Sequence, residues 1–213
     1  MLRDISGADV SAFSGELTGE ELRRYWLRGF VSNNLDLTNT FSKHPKILVT
    51  ALNGPVIGLS AALVAFSDFI YAAPHAFLLT PFSSLGLLAE GGSSRAFVER
   101  LGISKANEAL LMSKRIDSQE LLRAGFVNKI FDVKEGQSDI FLELVIKEME
   151  ERLGDHLNNE SLIRIKALIR RPEREIIERQ NALEVFGGLE RFIEGIPQEE
   201  FRRIRSGEKR HKL

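Results

Sequence analysis

The rhythm of apolar and polar positions changes halfway along this chain. "ILVTAL" (47–52) is a short run rich in β-branched residues that stops at the breaker Asn53-Gly54-Pro55, which predicts a buried strand. "GLSAALVAFSDF" (58–69) opens on small residues and predicts a buried helix, and "FIYAA" (69–73) and "AFLLT" (76–80) predict two short strands around a turn at Pro74-His75. "SSRAFVERLG" (93–102) has a serine start, apolar Phe97, Val98 and Leu101 on one side, and Gly102 as its stop. "SKANEALLMSKR" (104–115) predicts a further helix with a serine N-cap. "DSQELLRAG" (117–125) carries a D-x-x-E capping box and a terminal glycine, and "FVNKIF" (126–131) predicts a strand. From about Asp139 onward the period is helical, over 139–154, 160–171, 173–187 and 198–205, with Pro172 and Pro197 at helix starts and the charges forming solvated faces.

Strand, turn, helix, strand, strand and helix, followed by helices alone, is an α/β arrangement of layered sheet and helix. The length, 213 residues, suits one domain with an appended subdomain and is enough to bury a sizeable core. The net charge of −1 gives no broad surface for nucleic acid or membrane. The absence of cysteine excludes disulfides, thiolate catalysis and cysteine-ligated metals, and His44, His75, His156 and His211 form no metal-ligand spacing. No apolar run approaches the ~20 residues of a membrane span.

Three segments pair glycine with small residues where backbone N–H groups can be bared: Ser6-Gly7-Ala8-Asp9, the stretch from Asn53 to Ser60, and Glu90-Gly91-Gly92-Ser93-Ser94. In the second, a strand ends in a tight turn and a helix begins near Gly58, so the N–H of Leu59 is either an oxyanion donor at a positive helix end or part of a turn without a ligand. In the third, Glu90 stands among Leu85, Leu87, Leu88 and Ala89. An apolar setting raises a carboxyl pKa towards the range of a general base near neutral pH; the alternative is an acid in the N-cap region of the helix that follows. No G-x-S-x-G elbow, G-x-G-x-x-G or Walker A motif is present.

Taken together these segments resemble the crotonase (enoyl-CoA hydratase/isomerase) superfamily, from about Ile5 to about Phe131. "SGAD" resembles its first oxyanion loop, and "ILVTALNGPVIGLSAALVAFSDFIYAAPHAFLLTPFSSLGLLAEGGSS" its central signature, with "SD" where many members have "CD". The family's hydratases use two glutamates; the same pattern here places Ala62 and Phe82 at those two positions, so water addition is not implied. Glu90, in an "xEGG" setting, resembles the catalytic acid of the peroxisomal Δ3,Δ2-enoyl-CoA isomerases of fungi.

The resemblance implies a crotonase-like fold, a spiral core of repeated ββα units over 1–135, a helical oligomerisation region over 136–206, and a tail, 207–213. It implies a fatty acyl-CoA substrate, with coenzyme A as part of the substrate and no separate cofactor or metal. Its thioester oxygen would lie between the N–H groups of Ala8 and Leu59; Ser6, Gly7, Ala8, Asp9, Val10 and Leu59 would line it, and Glu90 would move the proton. Trimers or hexamers are implied in the same way. His211-Lys212-Leu213 resembles an S-K-L type address, implying a peroxisomal import receptor as partner and a peroxisomal location. The family's opening strands precede its first oxyanion loop, whereas five residues precede Ser6 here, so those strands are expected to be missing.

Overall fold

The computed structural model describes residues 17–210. The five loop residues Ser6 to Val10 and the tail His211-Lys212-Leu213 lie outside them. The chain begins with α1 (Gly19–Trp26), a π-helical turn (Leu27–Ser32) and α2 (Asn33–Ser42), then runs β1 (Val49–Leu52), β2 (Val56–Ile57), α3 (Leu59–Val64), β3 (Phe69–Ala72), β4 (Phe77–Leu79) and α4 (Ser93–Leu110). After these come β5 (Ile116–Asp117), α5 (Ser118–Arg123), β6 (Lys129–Ile130), α6 (Ser138–Arg152), α7 (Asn159–Arg170), α8 (Arg174–Ile193) and α9 (Ile196–Arg205).

Two ββα turns follow one another, β1–β2–α3 and β3–β4–α4. The first strand of each joins one sheet, where β3 lies between β1 and β6 and parallel to both. The second joins another, where β4 lies between β2, parallel, and β5, antiparallel. The two strands expected around Pro74-His75 therefore do not pair as a hairpin: β3 takes Val49 to Leu52 as its partners and β4 takes Val56 and Ile57. Side-chain alternation cannot distinguish this from a hairpin, because both arrangements bury the same strand faces.

The first helix after the breaker is shorter than its apolar run. It ends at Val64, and Ala65, Phe66 and Ser67 donate instead to carbonyls three residues back, which tightens the chain into the turn that starts β3. "FVNKIF" supplies only the two-residue β6, since Phe126 and Val127 both donate to the carbonyl of Leu121 at the end of α5. The predicted pair of helices from 93 to 115 forms one run to Leu110 broken at Gly102, whose φ of 72° and ψ of 158° are not helical. The capping box of α5 is present, with Asp117 Oδ1 accepting from Glu120 N at 2.7 Å.

Ile70, Leu78, Phe97, Ile116, Leu121 and Phe126 are fully buried between the sheets and α3, α4 and α5, each contributing roughly 1.5–3 kcal/mol by leaving water. A second cluster joins the N-terminal helices to α8: Trp26, Phe30 and Val31 pack on Val185, Leu189 and Phe192, with the Trp26 and Phe192 rings stacked 4.2 Å apart. Gly188 makes this approach possible, because a Cβ there would stand 2.8 Å from the Phe30 ring. Trp26, Phe30, Asn34 and Thr38 recur every fourth residue and are all buried, so the same packing turns Asn34 inward.

Asp68, of the "SD" pair, ties the spiral to the C-terminal helices. Its carboxylate accepts from Leu48 N at 2.7 Å, Lys166 Nζ at 2.6 Å and Arg170 Nη2 at 3.1 Å. Burial works to raise its pKa, but these donors outweigh it and hold the group below its ordinary value. Asp68→Asn is expected to cost about 3 kcal/mol in chemical denaturation at neutral pH, since it leaves two half-buried cations without their anion. With a folded pKa below the unfolded one, this contribution is complete above the ordinary carboxylate value and is lost as pH falls through the folded value. The denaturation midpoints of wild type and variant should therefore converge in acid.

Candidate active site

Gly58 ends the turn after β2 with φ 64° and ψ −132°, a conformation that L side chains rarely adopt. Its N–H donates to the carbonyl of Leu79 at 2.8 Å, pinning the turn to the end of β4. Leu59 is then the first residue of α3, so its N–H has no helical carbonyl before it to bond, and among the described residues no side chain caps this helix.

The segment carrying Glu90 packs directly on this turn. Gly91 has φ 67°, and a Cβ on it would stand 2.8 Å from Leu59 Cδ1 and 2.9 Å from Ala62 Cβ. Glycine at 91 thus satisfies two demands at once, a left-handed backbone and contact with the start of α3. The carbonyl of Glu90 accepts from Ser93 N at 3.2 Å and closes the turn through Gly91 and Gly92 into α4. Ala62 and Phe82, which the resemblance matches to the two hydratase glutamates, are both buried.

Glu90 as a residue keeps partial exposure, yet burial of its carboxyl is the first cause of a pKa pushed up to about 7. The second is the negative charge of Glu184, and a hydrogen bond from the Asn34 side chain acts in the opposite direction. A carboxyl in this range is ionised enough near neutral pH to take a proton and basic enough to hold it.

Of the residues read from the sequence, Glu90 and Leu59 come together across Gly91, while Ser6, Gly7, Ala8, Asp9 and Val10 lie outside the described residues. Two contributors are absent from the sequence reading. Asn34 sits in the N-terminal helices, whose signal was the four-residue spacing of Trp26 and Phe30 ahead of it. Glu184 lies on α8, which extends past the predicted 173–187 and does not present a purely solvated face: Glu184 and Asn181 are both buried. Glu184 Oε2 accepts from Gly92 N at 2.6 Å and Oε1 from Ser94 N at 2.8 Å. Glu90 is therefore not the lone acid of the region, and the capping function open to it in the sequence belongs to Glu184. Nothing in the local pattern of α8 marks Glu184, because its partners are 92 and 90 residues away.

Residues 6–175 match the family described as enoyl-CoA hydratase/isomerase. The chain is 60% identical over 219 residues to the Delta(3,5)-Delta(2,4)-dienoyl-CoA isomerase of Pyricularia oryzae, covering 98% of this chain and 78% of that one. It is 32% identical over 215 residues to the 3,2-trans-enoyl-CoA isomerase of Saccharomyces cerevisiae, covering 98% and 76%. The crystal structure of an enoyl-CoA hydratase/isomerase from Pseudoalteromonas atlantica T6c superposes with a TM-score of 0.74 at 26% identity, over 83% of this chain and 68% of that one.

Proposed function

The chain belongs to the enoyl-CoA hydratase/isomerase family, and from that premise we propose that it moves the double bond of a 3-enoyl-CoA to the trans-2 position, with Glu90 as the proton carrier. The observation that carries the proposal is the Glu90-Gly91 segment packed on the start of α3, with Gly91 against Leu59 and Ala62, together with a Glu90 carboxyl whose pKa burial pushes up to about 7.

The thioester oxygen is held by the N–H of Leu59 and by that of Ala8. Glu90 takes a proton from C2, and the electron pair spreads over the dienolate from the thioester oxygen to C4. The same carboxyl returns the proton to C4, leaving the double bond between C2 and C3, so no water is consumed and no charge is left over. Two donors at the oxygen lower the cost of the dienolate, and loss of one raises the barrier by about 3 kcal/mol. Ala62 and Phe82 offer no group to orient a nucleophilic water. A place in fatty acid β-oxidation, a trimeric or hexameric assembly, and peroxisomal delivery through His211-Lys212-Leu213 complete this reading.

A second reading, isomerisation of a 3,5-dienoyl-CoA to the 2,4-diene, is favoured by the name of the relative at 60% identity. That shift carries the proton from C2 to C6, two carbons beyond C4. Glu184, the acid beside Glu90 among the described residues, is engaged by two backbone N–H groups, which leaves Glu90 for the transfer among those residues and supports the shorter shift.

The test is the pH dependence of turnover. Glu90 acts as a base only when ionised, so kcat/KM for a 3-enoyl-CoA should rise with pH through a midpoint of about 7 and level off above it. A profile already flat from pH 5 upward would remove Glu90 from the role.

A further inference from the structure

The helix that follows Glu90 begins with bared amides, and an acid just ahead of a helix is the ordinary group to satisfy them. Here those amides, Gly92 N and Ser94 N, are held from the other side by Glu184 of α8, at 2.6 and 2.8 Å. We propose that Glu184 is a positioning residue: it caps α4 in place of Glu90, and so keeps the Glu90 carboxyl on the substrate side of the Gly91-Gly92 turn. The proposal rests on the isomerase reading for its functional meaning, but its structural content stands on these contacts.

Three further observations agree with it. Glu184 is buried, and among the described residues no lysine or arginine bonds to it; its hydrogen bonds are to the start of α4. Burial raises its pKa above the ordinary carboxylate value, and the hydrogen bonds from Ser94 and Gly92 oppose that rise, so the start of α4 is what favours its anion. α8 grips the same segment a second time, Arg191 Nε donating to the carbonyl of Gly86 at 3.0 Å.

Among the described residues, the charges on the elements packed around the pair are engaged elsewhere or exposed. On α4, Arg95 is bound to Glu173 and Glu99. At the end of α2, Lys43 is bound to Glu178, and Asp36 is exposed. On α1 and the turn after it, Glu20, Glu21, Arg23, Arg24 and Arg28 are exposed, and on α8 itself Arg191 reaches Glu194. Among the described residues, Glu184 is the charged group whose field acts on Glu90.

In Glu184→Gln the amide keeps the shape but cannot accept from both N–H groups, and the negative charge is gone. Both changes act on Glu90 in the same sense: its anion loses a repelling neighbour and gains an unsatisfied helix start. The experiment is a carbon-13 NMR titration of the Glu90 carboxyl in glutamate-labelled protein, assigned with Glu90→Gln. The wild-type midpoint is expected at about 7, and that of Glu184→Gln at lower pH. In parallel, kcat for a 3-enoyl-CoA should fall about tenfold, the effect of losing one charge-assisted hydrogen bond, with KM within about twofold and the acid limb of the profile moved down with the titration.

A folded Glu184→Gln whose Glu90 midpoint matches wild type overturns the proposal, even if its melting temperature falls. If Glu184→Gln does not fold, Glu184→Asp is titrated instead. It is too short to reach both amides, and a midpoint below wild type supports the proposal while an unchanged one overturns it. The titration needs no turnover, so a wild-type protein that leaves 3-enoyl-CoA unchanged defeats the isomerase reading without deciding the role of Glu184.

Discussion

Glu90→Gln is expected to lower kcat for a 3-enoyl-CoA by about a thousandfold, within the range that one positioned acid–base group contributes. Glutamine fills the same space and can still bond the Asn34 side chain, so the loss reports proton transfer and not collapse of the site. The variant should also be more stable than wild type in alkaline solution. Glu90 in the folded chain holds its proton up to about 7, whereas its ordinary value is 4.5. Below the ordinary value both folded and unfolded chains are protonated and the group costs nothing. Between the two values the unfolded chain releases the proton and the folded chain does not, so a penalty accumulates with rising pH, reaching at most about 3 kcal/mol. Denaturant titrations at pH 8 and pH 4 measure this: the variant is expected to gain at pH 8 and to match wild type at pH 4. Lost activity together with gained alkaline stability is the signature of an acid kept in an unfavourable place for its chemistry.

Gly91→Ala is the second large effect. A methyl group at 91 would stand 2.8 Å from Leu59 Cδ1 and 2.9 Å from Ala62 Cβ, at a φ of 67°. The left-handed backbone costs about 1–2 kcal/mol, and relief of the contact pushes Glu90 away from the Leu59 turn. A displacement on the order of 1 Å at a reacting group costs roughly a hundredfold, so kcat/KM should fall by that factor. Gly102→Ala is the control. It shares the positive φ, at 72°, but has nothing within 4 Å of its Cβ position. It should lose stability alone, with kcat/KM intact.

The segments around Gly58 and Glu90 stand out in the sequence because they are local. Gly58-Leu59 and Glu90-Gly91-Gly92 are short segments whose glycines take backbone positions that other residues rarely adopt, with positive φ at 58, 91 and 92. The strands were legible as apolar runs, but the partners of β3 and β4 were not, since strands buried on both faces have no alternation to distinguish a hairpin from a stacked ββα turn; β1, read as a buried strand, buries only Leu52. Helix ends were misplaced where packing overrode the apolar pattern, as at Val64, where the chain turns into β3 in mid-run. Glu184 was hidden for a different reason. Its place in a charge-rich helix is what a solvated face predicts, and its burial depends on the N-terminal helices and α4 meeting α8 across some 90 residues or more of sequence. Asn34 was hidden in the same way, brought inward by Phe30 seated against Gly188.

The most direct measurement is a comparison of purified wild-type protein on two substrates, a trans-3-enoyl-CoA and a 3,5-dienoyl-CoA of equal chain length, with products identified by mass and absorbance. With Glu90 as the single proton carrier, the 3-enoyl-CoA is expected to convert to trans-2-enoyl-CoA without change of mass, at a kcat/KM higher than that for the diene. Preferred turnover of the diene, or a product heavier by one water, would contradict it.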